Sequence, residues 1–279
     1  MSKKYRIPAI LYGTAWKEDN TENLVMLAVK QGFRGIDTAN QRKHYFEEGV
    51  GMALQQIYDN TEIKRESLFL QTKYTYVHGQ DHRLPYDDKA DVATQVEQSF
   101  KSSLKHLGTD YIDSYVLHGP ELMHGLTLTD NDWLAWQAME KLQQSGLVKY
   151  LGVSNVNHKQ LELLYTNVKI KPKFVQNRCF AQMLWDKQIR NFCLNNKIIY
   201  QGFSLLTANQ NYLQHHIIQD MAKENNMTVA QLILNFAIHI GMLPLTGTTN
   251  EKHMQQDLAT LNSNLSDEQV VTIENIVNL

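Results

Sequence analysis

Residues Gly32 to Gly51 read GFRGIDTANQRKHYFEEGVG, and the rest of the chain is best understood outward from this stretch. Phe33 to Ile36 is a short apolar-rich run of strand character, and its carboxyl end delivers an aspartate, Asp37. A polar loop follows and ends in His44 and Tyr45. Glu47 and Glu48 then open a helical pattern carrying Val50, Met52, Leu54 and Ile57, with the acidic pair at the positive end of the helix. The unit is strand, loop and helix, with an ionisable residue at the strand tip and a phenol in the loop above it.

The same alternation recurs along the whole chain. Strands are expected near Ile10–Tyr12, Phe33–Ile36, Leu68–Thr72, Ile112–Leu117, Tyr150–Val153, Phe174–Gln176, Ile198–Phe203 and Met242–Leu245. Helices are expected near Thr21–Gln31, Glu47–Tyr58, Asp91–Leu107, Asn131–Ser145, Asn157–Thr166, Lys187–Asn195, Val229–Ile240, Asn250–Leu261 and Asp267–Val277, with an extra one over Tyr212–Glu224. Repeating units of about 25–45 residues argue a parallel sheet wound from βα units. Eight of them argue closure into a (β/α)8 TIM barrel, one domain over residues 1–279. A doubly wound open sheet advertises a glycine-rich turn after its first strand. Here that turn reads GTAW, and GxGxxG occurs nowhere. The longest segments without periodicity, Tyr74–Lys89 and Gly119–Thr129, both follow strand ends and so belong over the barrel mouth.

Composition narrows the function classes. With 43% hydrophobic residues, 20% charged and a net charge of -2, the chain has ample core and no electrostatic footprint for nucleic acid. The start, MSKKYRIPAIL, has too short an apolar run for a signal peptide. The most apolar stretch, Ala230 to Leu245, is broken by Gln231, Asn235 and His239, so no membrane span is expected. Cys179 and Cys193 form neither a disulfide framework nor a zinc spacing. The expectation is a reduced, cytoplasmic protein of open oligomeric state, with no metal and a small-molecule partner.

The residues leaving the strands are polar while the strands are apolar: Thr14, Asp37, Lys73, His118, Ser154 with Asn155, Gln176, Ser204, and Thr246 with Thr248. In a closed parallel barrel they converge on one face, where barrel enzymes keep their active sites. Asp37, Lys73 and His118 would be neighbours there. A lysine reached through LFLQTK is desolvated and calls for a carboxylate such as Asp37. A phenol beside that ammonium would become a better acid.

The segments GTAW, GFRGIDTA, FLQTK, LGTDYIDSYVLHGP, YLGVSN, VQNR and LPLTGTT resemble the aldo-keto reductase family, in family order, over nearly the whole chain. GFRGIDTA and DYIDSYVLH are the specific ones. The resemblance implies a barrel that binds NADP(H), with NAD(H) as the alternative, and reduces a small-molecule carbonyl substrate. It implies Asp37, Tyr45, Lys73 and His118 as the catalytic set. It implies Ser154, Asn155 and Gln176 as partners of the nicotinamide carboxamide, with Phe203 stacked on the ring. Thr14 falls beside them. Ser204, Leu205 and Thr207, with Thr246, Gly247, Thr248, His253 and Asp257, fall where the family holds the pyrophosphate and adenosine half. Trp16 is a candidate substrate-pocket wall and equally a core aromatic. The family's usual tyrosine position is occupied by Arg42; Tyr45 lies three residues further on, with His44 as the register alternative. Near the last helices TGTTNEKHMQQD offers Lys252 and His253, but no basic residue at the family's usual 2'-phosphate position.

Each residue alone has a plainer reading. Asp37 could cap a turn, Lys73 could be a rim charge, and His118 before Gly119-Pro120 a turn residue. Their joint placement makes the site. Tyr74 and Tyr76 read as loop or pocket-wall aromatics, Asp110 and Asp113 as structural, His215 and His216 as surface residues, and Cys179 as buried and inert. Two rival functions remain open at this level: a nucleotide-sensing, partner-binding barrel with little turnover, and a Schiff-base lyase using Lys73.

Overall fold

Among the described residues, the apolar runs separated by helical periods become eight parallel strands that pair in sequence order and close on themselves. The computed structural model describes residues 7–279, so the basic start, residues 1–6, lies outside it. The strands are β1 (Leu11–Gly13), β2 (Gly35–Asp37), β3 (Phe69–Tyr74), β4 (Ile112–Leu117), β5 (Val148–Ser154), β6 (Phe174–Arg178), β7 (Ile199–Phe203) and β8 (Leu243–Thr246). Each is hydrogen-bonded to the next, and β8 returns to β1, which is the expected (β/α)8 closure.

The helices are α1 (Thr21–Gln31), α2 (Glu47–Asn60), α3 (Val92–Leu107), α4 (Asp130–Gln144), α5 (His158–Asn167), α6 (Lys187–Asn195), α7 (Gln210–Leu213), α8 (His216–Glu224), α9 (Val229–His239), α10 (Glu251–Ala259) and α11 (Asp267–Glu274). Most begin where a side chain satisfies the free N–H groups of the first turn. Thr129, Asn157, Thr228 and Ser266 each form a reciprocal capping box with the residue three positions on. The single helix expected over residues 212–224 is in fact two. His215 takes extended backbone angles and starts a new helix, so the chain turns between α7 and α8. Strand β3 runs two residues beyond its expected end, so Lys73 is part of the ladder rather than of the loop.

Two cores result. Between strands and helices lies the large outer core, which includes Trp136, Phe100, Tyr115 and Phe236. Inside the barrel, Leu11, Phe69, Phe174 and Leu243 form a separate apolar plug, with Phe69 and Phe174 ring centroids 5.6 Å apart. The plug closes the amino-terminal end of the barrel, so any ligand must enter from the carboxyl ends of the strands. On the β3–β4 side, Asp113 joins Arg65 at 2.8 Å and Lys149 at 2.7 Å and accepts from the Leu70 N–H, a structural role as read from the sequence.

Helix α2, which follows the Tyr45 loop, is pressed close to α3. A Cβ at Gly51 would lie 1.8 Å from the His106 carbonyl oxygen, so only glycine allows this approach. Among the described residues no helix is long and apolar enough to cross a membrane, and no group of three or more His, Cys, Asp or Glu could hold a metal ion.

Candidate active site

The side chains that point up the barrel above the plug are polar, and they are arranged around Asp37. Lys73 Nζ donates to Asp37 Oδ1 at 2.8 Å, to Oδ2 at 2.7 Å and to the Thr38 carbonyl at 2.8 Å. Both residues are buried. Burial pulls the Lys73 pKa below its ordinary value and the Asp37 carboxylate opposes this. Three acceptors surround the amine, so the geometry holds the ammonium with all three hydrogens placed. No lone pair remains to attack a carbonyl, which argues against Lys73 as a Schiff-base nucleophile.

Asp37 has further support that the sequence did not reveal. Gln71 Nε2 donates to its Oδ1 at 2.7 Å and Gln176 Nε2 donates to the same oxygen at 3.0 Å. Gln201 joins the two, accepting from Gln71 at 2.8 Å and from Gln176 at 2.9 Å. A layer of three buried amides thus lies between the apolar plug and the ion pair. Each hydrogen bond offsets the cost of keeping polar groups out of water.

Tyr45 lies over this pair. Lys73 Nζ is 5.1 Å from the Tyr45 ring centroid, and the His118 ring meets Tyr45 edge-on at 5.9 Å. Arg42 is directed elsewhere, with its guanidinium over the Phe46 ring at 4.3 Å. The loop that carries Tyr45 is tied down along its length. Asn40 donates to Ser99 O, Gln41 donates to Gly79 O at 2.7 Å, and the Tyr45 N–H donates to Gln41 O. Glu47, expected as a helix-dipole residue, is buried and bridges His106 and Thr72, beside Lys73. His44 turns the other way and packs against Trp16 in a tilted ring contact with centroids 4.1 Å apart; Trp16 is 70% exposed. Trp16 is therefore a rim residue and not a core aromatic.

The electrostatics correct one expectation. The phenol of Tyr45 is pushed up, first by burial and then by the charge of Asp37, and not made more acidic by Lys73. In the resting site the Asp37 carboxylate offsets the pull of the ammonium on the phenol, and burial outweighs what remains. Tyr45 accordingly stays a neutral O–H donor. His118 is held well below its ordinary pKa by burial, by Lys73 and by His44, so its imidazole is neutral.

Around the other half of the mouth, Asn155 and Ser204 leave β5 and β7 with left-handed backbones, φ 53 and 57. Such strain in residues other than glycine clusters at functional sites. Ser154 Oγ donates to the Gln176 carbonyl at 2.6 Å, and Asn155 Nδ2 donates to the His118 carbonyl at 2.8 Å and to Ser154 Oγ at 3.2 Å. Phe203 and Ser204 are half-buried at the tip of β7, and Thr207 and Gly247 are exposed.

Several of the expected residues face inward instead. The Thr14 hydroxyl donates to the Asp37 carbonyl at 3.0 Å. Leu205 is buried in the outer core, so only its backbone is near the mouth. Asp257 is buried and accepts from Thr246 Oγ1 at 2.6 Å, which fastens α10 to the tip of β8. Thr248 Oγ1 accepts from the Asn250 N–H, while Lys252 and His253 are exposed at the start of α10. Tyr74 and Tyr76 are buried and bond to Gln95 and Asp132, and are not pocket walls.

Lys17 was missed. It is buried, its Nζ donates to the Gly247 carbonyl at 2.6 Å, and burial brings its pKa down to about 8. Its place directly after GTAW was the available signal. Only the closure of β1 against β8 brings it to the strand tip.

The family model described as the Aldo/keto reductase family matches residues 10–278. Aldo-keto reductase family 1 member C15 of Rattus norvegicus is 30% identical, over 97% of this chain and 88% of the relative. The crystal structure of the aldo-keto reductase MGS-M4, from a Medee basin deep-sea metagenome library, superposes with a TM-score of 0.82 at 27% identity, covering 99% of this chain and 93% of that one. A Bombyx mori aldo-keto reductase solved in complex with NADP superposes with a TM-score of 0.79 at 25% identity, covering 98% and 90%. With a model matched from the first strand to the last helix, and a closed barrel carrying polar side chains at its carboxyl face, the chain belongs to the aldo/keto reductase family.

Proposed function

We propose that this chain reduces an aldehyde or ketone to an alcohol with NADPH, with Tyr45 as proton donor. The observation that carries the reading is the Asp37–Lys73 pair beneath the Tyr45 ring, with the neutral His118 at the ring's edge. The Bombyx mori relative's bound NADP supports the choice of cofactor class.

The residues around the mouth fit a nicotinamide. A carboxamide NH2 offers two donors. Asn155 Oδ1 and Gln176 Oε1 accept from no described residue and are not buried orphans, so two acceptors stand open to receive them. Phe203 would flank the ring and Lys17 would supply a cation near the phosphates. When bound, the reduced nicotinamide supplies the hydride.

The chain's own residues supply the proton and the positioning. A developing alkoxide is far more basic than a phenolate, so proton transfer from Tyr45 Oη runs downhill even with the phenol pKa raised. Lys73 would compensate the negative charge left on the phenolate, and Asp37 with its amide layer would keep the ammonium in place. His118 would hydrogen-bond the carbonyl oxygen and orient it. The apolar residues Trp16, Leu122 and Met183, exposed on three mouth loops, would receive the rest of the substrate.

The test is single-turnover oxidation of enzyme-bound NADPH by an aromatic aldehyde, followed by loss of nicotinamide absorbance. A cofactor that binds and is never oxidised by any carbonyl would favour a nucleotide-sensing barrel instead.

A further inference from the structure

Thr75 is the first residue beyond β3 and is buried, and its hydroxyl lies 2.7 Å from Nδ1 of His118. Because the imidazole is neutral, one ring nitrogen carries the hydrogen, and the partner of the other nitrogen decides which. The Thr75 hydroxyl has no second partner among the described residues. If Nδ1 carried the hydrogen, it would donate to Oγ1, and the threonine's own hydrogen would be buried without an acceptor. If the hydroxyl donates, Nδ1 accepts and the threonine hydrogen is placed. The ring hydrogen then sits on Nε2, which has no partner among the described residues but is not a buried orphan, so its hydrogen is left open to a ligand.

The surroundings fix Thr75 in this orientation. A Cβ at Gly79 would lie 2.7 Å from Thr75 Cγ2, so the methyl fills the space that the glycine leaves. The Thr75 carbonyl accepts from Tyr86 Oη at 2.7 Å. On the other side, the His118 N–H donates to the Tyr74 carbonyl at 2.9 Å and the His118 carbonyl accepts from Asn155. Both backbones are held, and the two side chains meet through one hydrogen bond.

We propose that Thr75 is a positioning residue that keeps the ring hydrogen of His118 on Nε2, so that the imidazole meets a carbonyl oxygen as a donor. With the hydrogen on Nδ1, the Nε2 lone pair would face the oxygen's lone pairs and repel them. The purpose of this arrangement rests on the carbonyl-reductase reading; the tautomer itself does not.

The experiment compares wild type, Thr75→Val and Thr75→Ser by 15N NMR of histidine-labelled protein, with His118 assigned from its absence in a His118→Gln sample. Wild type and Thr75→Ser should carry the hydrogen on Nε2, and Thr75→Val should show a mixed or reversed tautomer. In aldehyde reduction, Thr75→Val should lose about tenfold in kcat, the scale of one net hydrogen bond, with NADPH affinity unchanged, and Thr75→Ser should recover most of it. A wild-type ring protonated on Nδ1 would overturn the proposal, as would a serine variant as impaired as the valine one. If Thr75→Val does not fold, the wild-type and serine spectra still decide. Should wild type reduce no carbonyl at all, the reductase reading falls while the tautomer measurement stands.

Discussion

Lys73 Nζ sits between both carboxylate oxygens of Asp37, at 2.8 and 2.7 Å, in the interior of the barrel. Removing one member of a buried pair leaves the other charge exposed to a low-dielectric interior, at a cost of about 3–5 kcal/mol. Gln71 and Gln176 remain on Asp37 and should soften that loss. Lys73→Met is therefore expected to fold with a lowered denaturation midpoint, to bind NADPH, and to show no measurable carbonyl reduction. A variant retaining near wild-type kcat would remove Lys73 from the mechanism.

Tyr45 lies over the ion pair and His44 packs against Trp16 at the rim. Tyr45→Phe should lower kcat by on the order of a hundredfold or more, the scale for losing a general acid. His44→Ala should act mainly on KM, through the loosened Trp16. The opposite ranking, measured at saturating cofactor, would move the proton donor to His44.

Cofactor choice should be loose. Lys252 and His253 are exposed at the start of α10. A charge-assisted contact to the 2'-phosphate contributes about 1.5–3 kcal/mol, and a single solvated cation should give the lower part of that range. Fluorescence titrations should thus find NADPH bound tighter than NADH by well under a thousandfold. A larger ratio that Lys252→Ala left unchanged would point to a cation elsewhere.

Lys17 supplies a pH dependence. Its pKa is brought down to about 8 by burial, so the free protein holds the ammonium below that pH and loses it above. Binding an anionic pyrophosphate beside Gly247 would require the proton back. Affinity for NADPH should therefore be flat below pH 8 on this account and fall above it, by up to about tenfold per pH unit for one linked proton. Lys17→Met should weaken binding and flatten the alkaline limb. An alkaline limb that survives the substitution would assign it to another group.

The approach of α2 to α3 can be tested separately from chemistry. Gly51→Ala would drive a methyl into the His106 carbonyl and should cost about 1–3 kcal/mol, the range for overpacking. Thermal unfolding reads the loss. Because α2 anchors the Tyr45 loop, kcat should fall as well, whereas unchanged activity would show that the loop is held by Gln41 and Asn40 alone.

The order of strands and helices was legible because hydrophobic periodicity is local: each segment carries its own pattern whatever its neighbours do. The same holds for Asp37, Lys73 and His118, whose positions at successive strand ends follow once the barrel is granted. What the string of residues could not settle was everything that depends on partners far along the chain. Strands covered on both sides show no inside–outside alternation. Gln71 and Gln201 therefore did not stand out as inward residues, nor did Gln176 as a support for Asp37 beside the carboxamide role that the family resemblance implies. The inserted residues before Tyr45 left two registers open in the sequence, and only the hydrogen bonds to Gly79, Ser99 and Gln41 fix the loop that lays Tyr45 over Lys73 and turns His44 toward Trp16. The acidity of the phenol was misread for a related reason. Sequence placed a cation beside it, but in the tertiary structure the Asp37 carboxylate offsets that cation and burial dominates. Residue type and spacing determine which groups can meet; desolvation and the competition among acceptors, which exist only once the barrel closes, determine what each group does there.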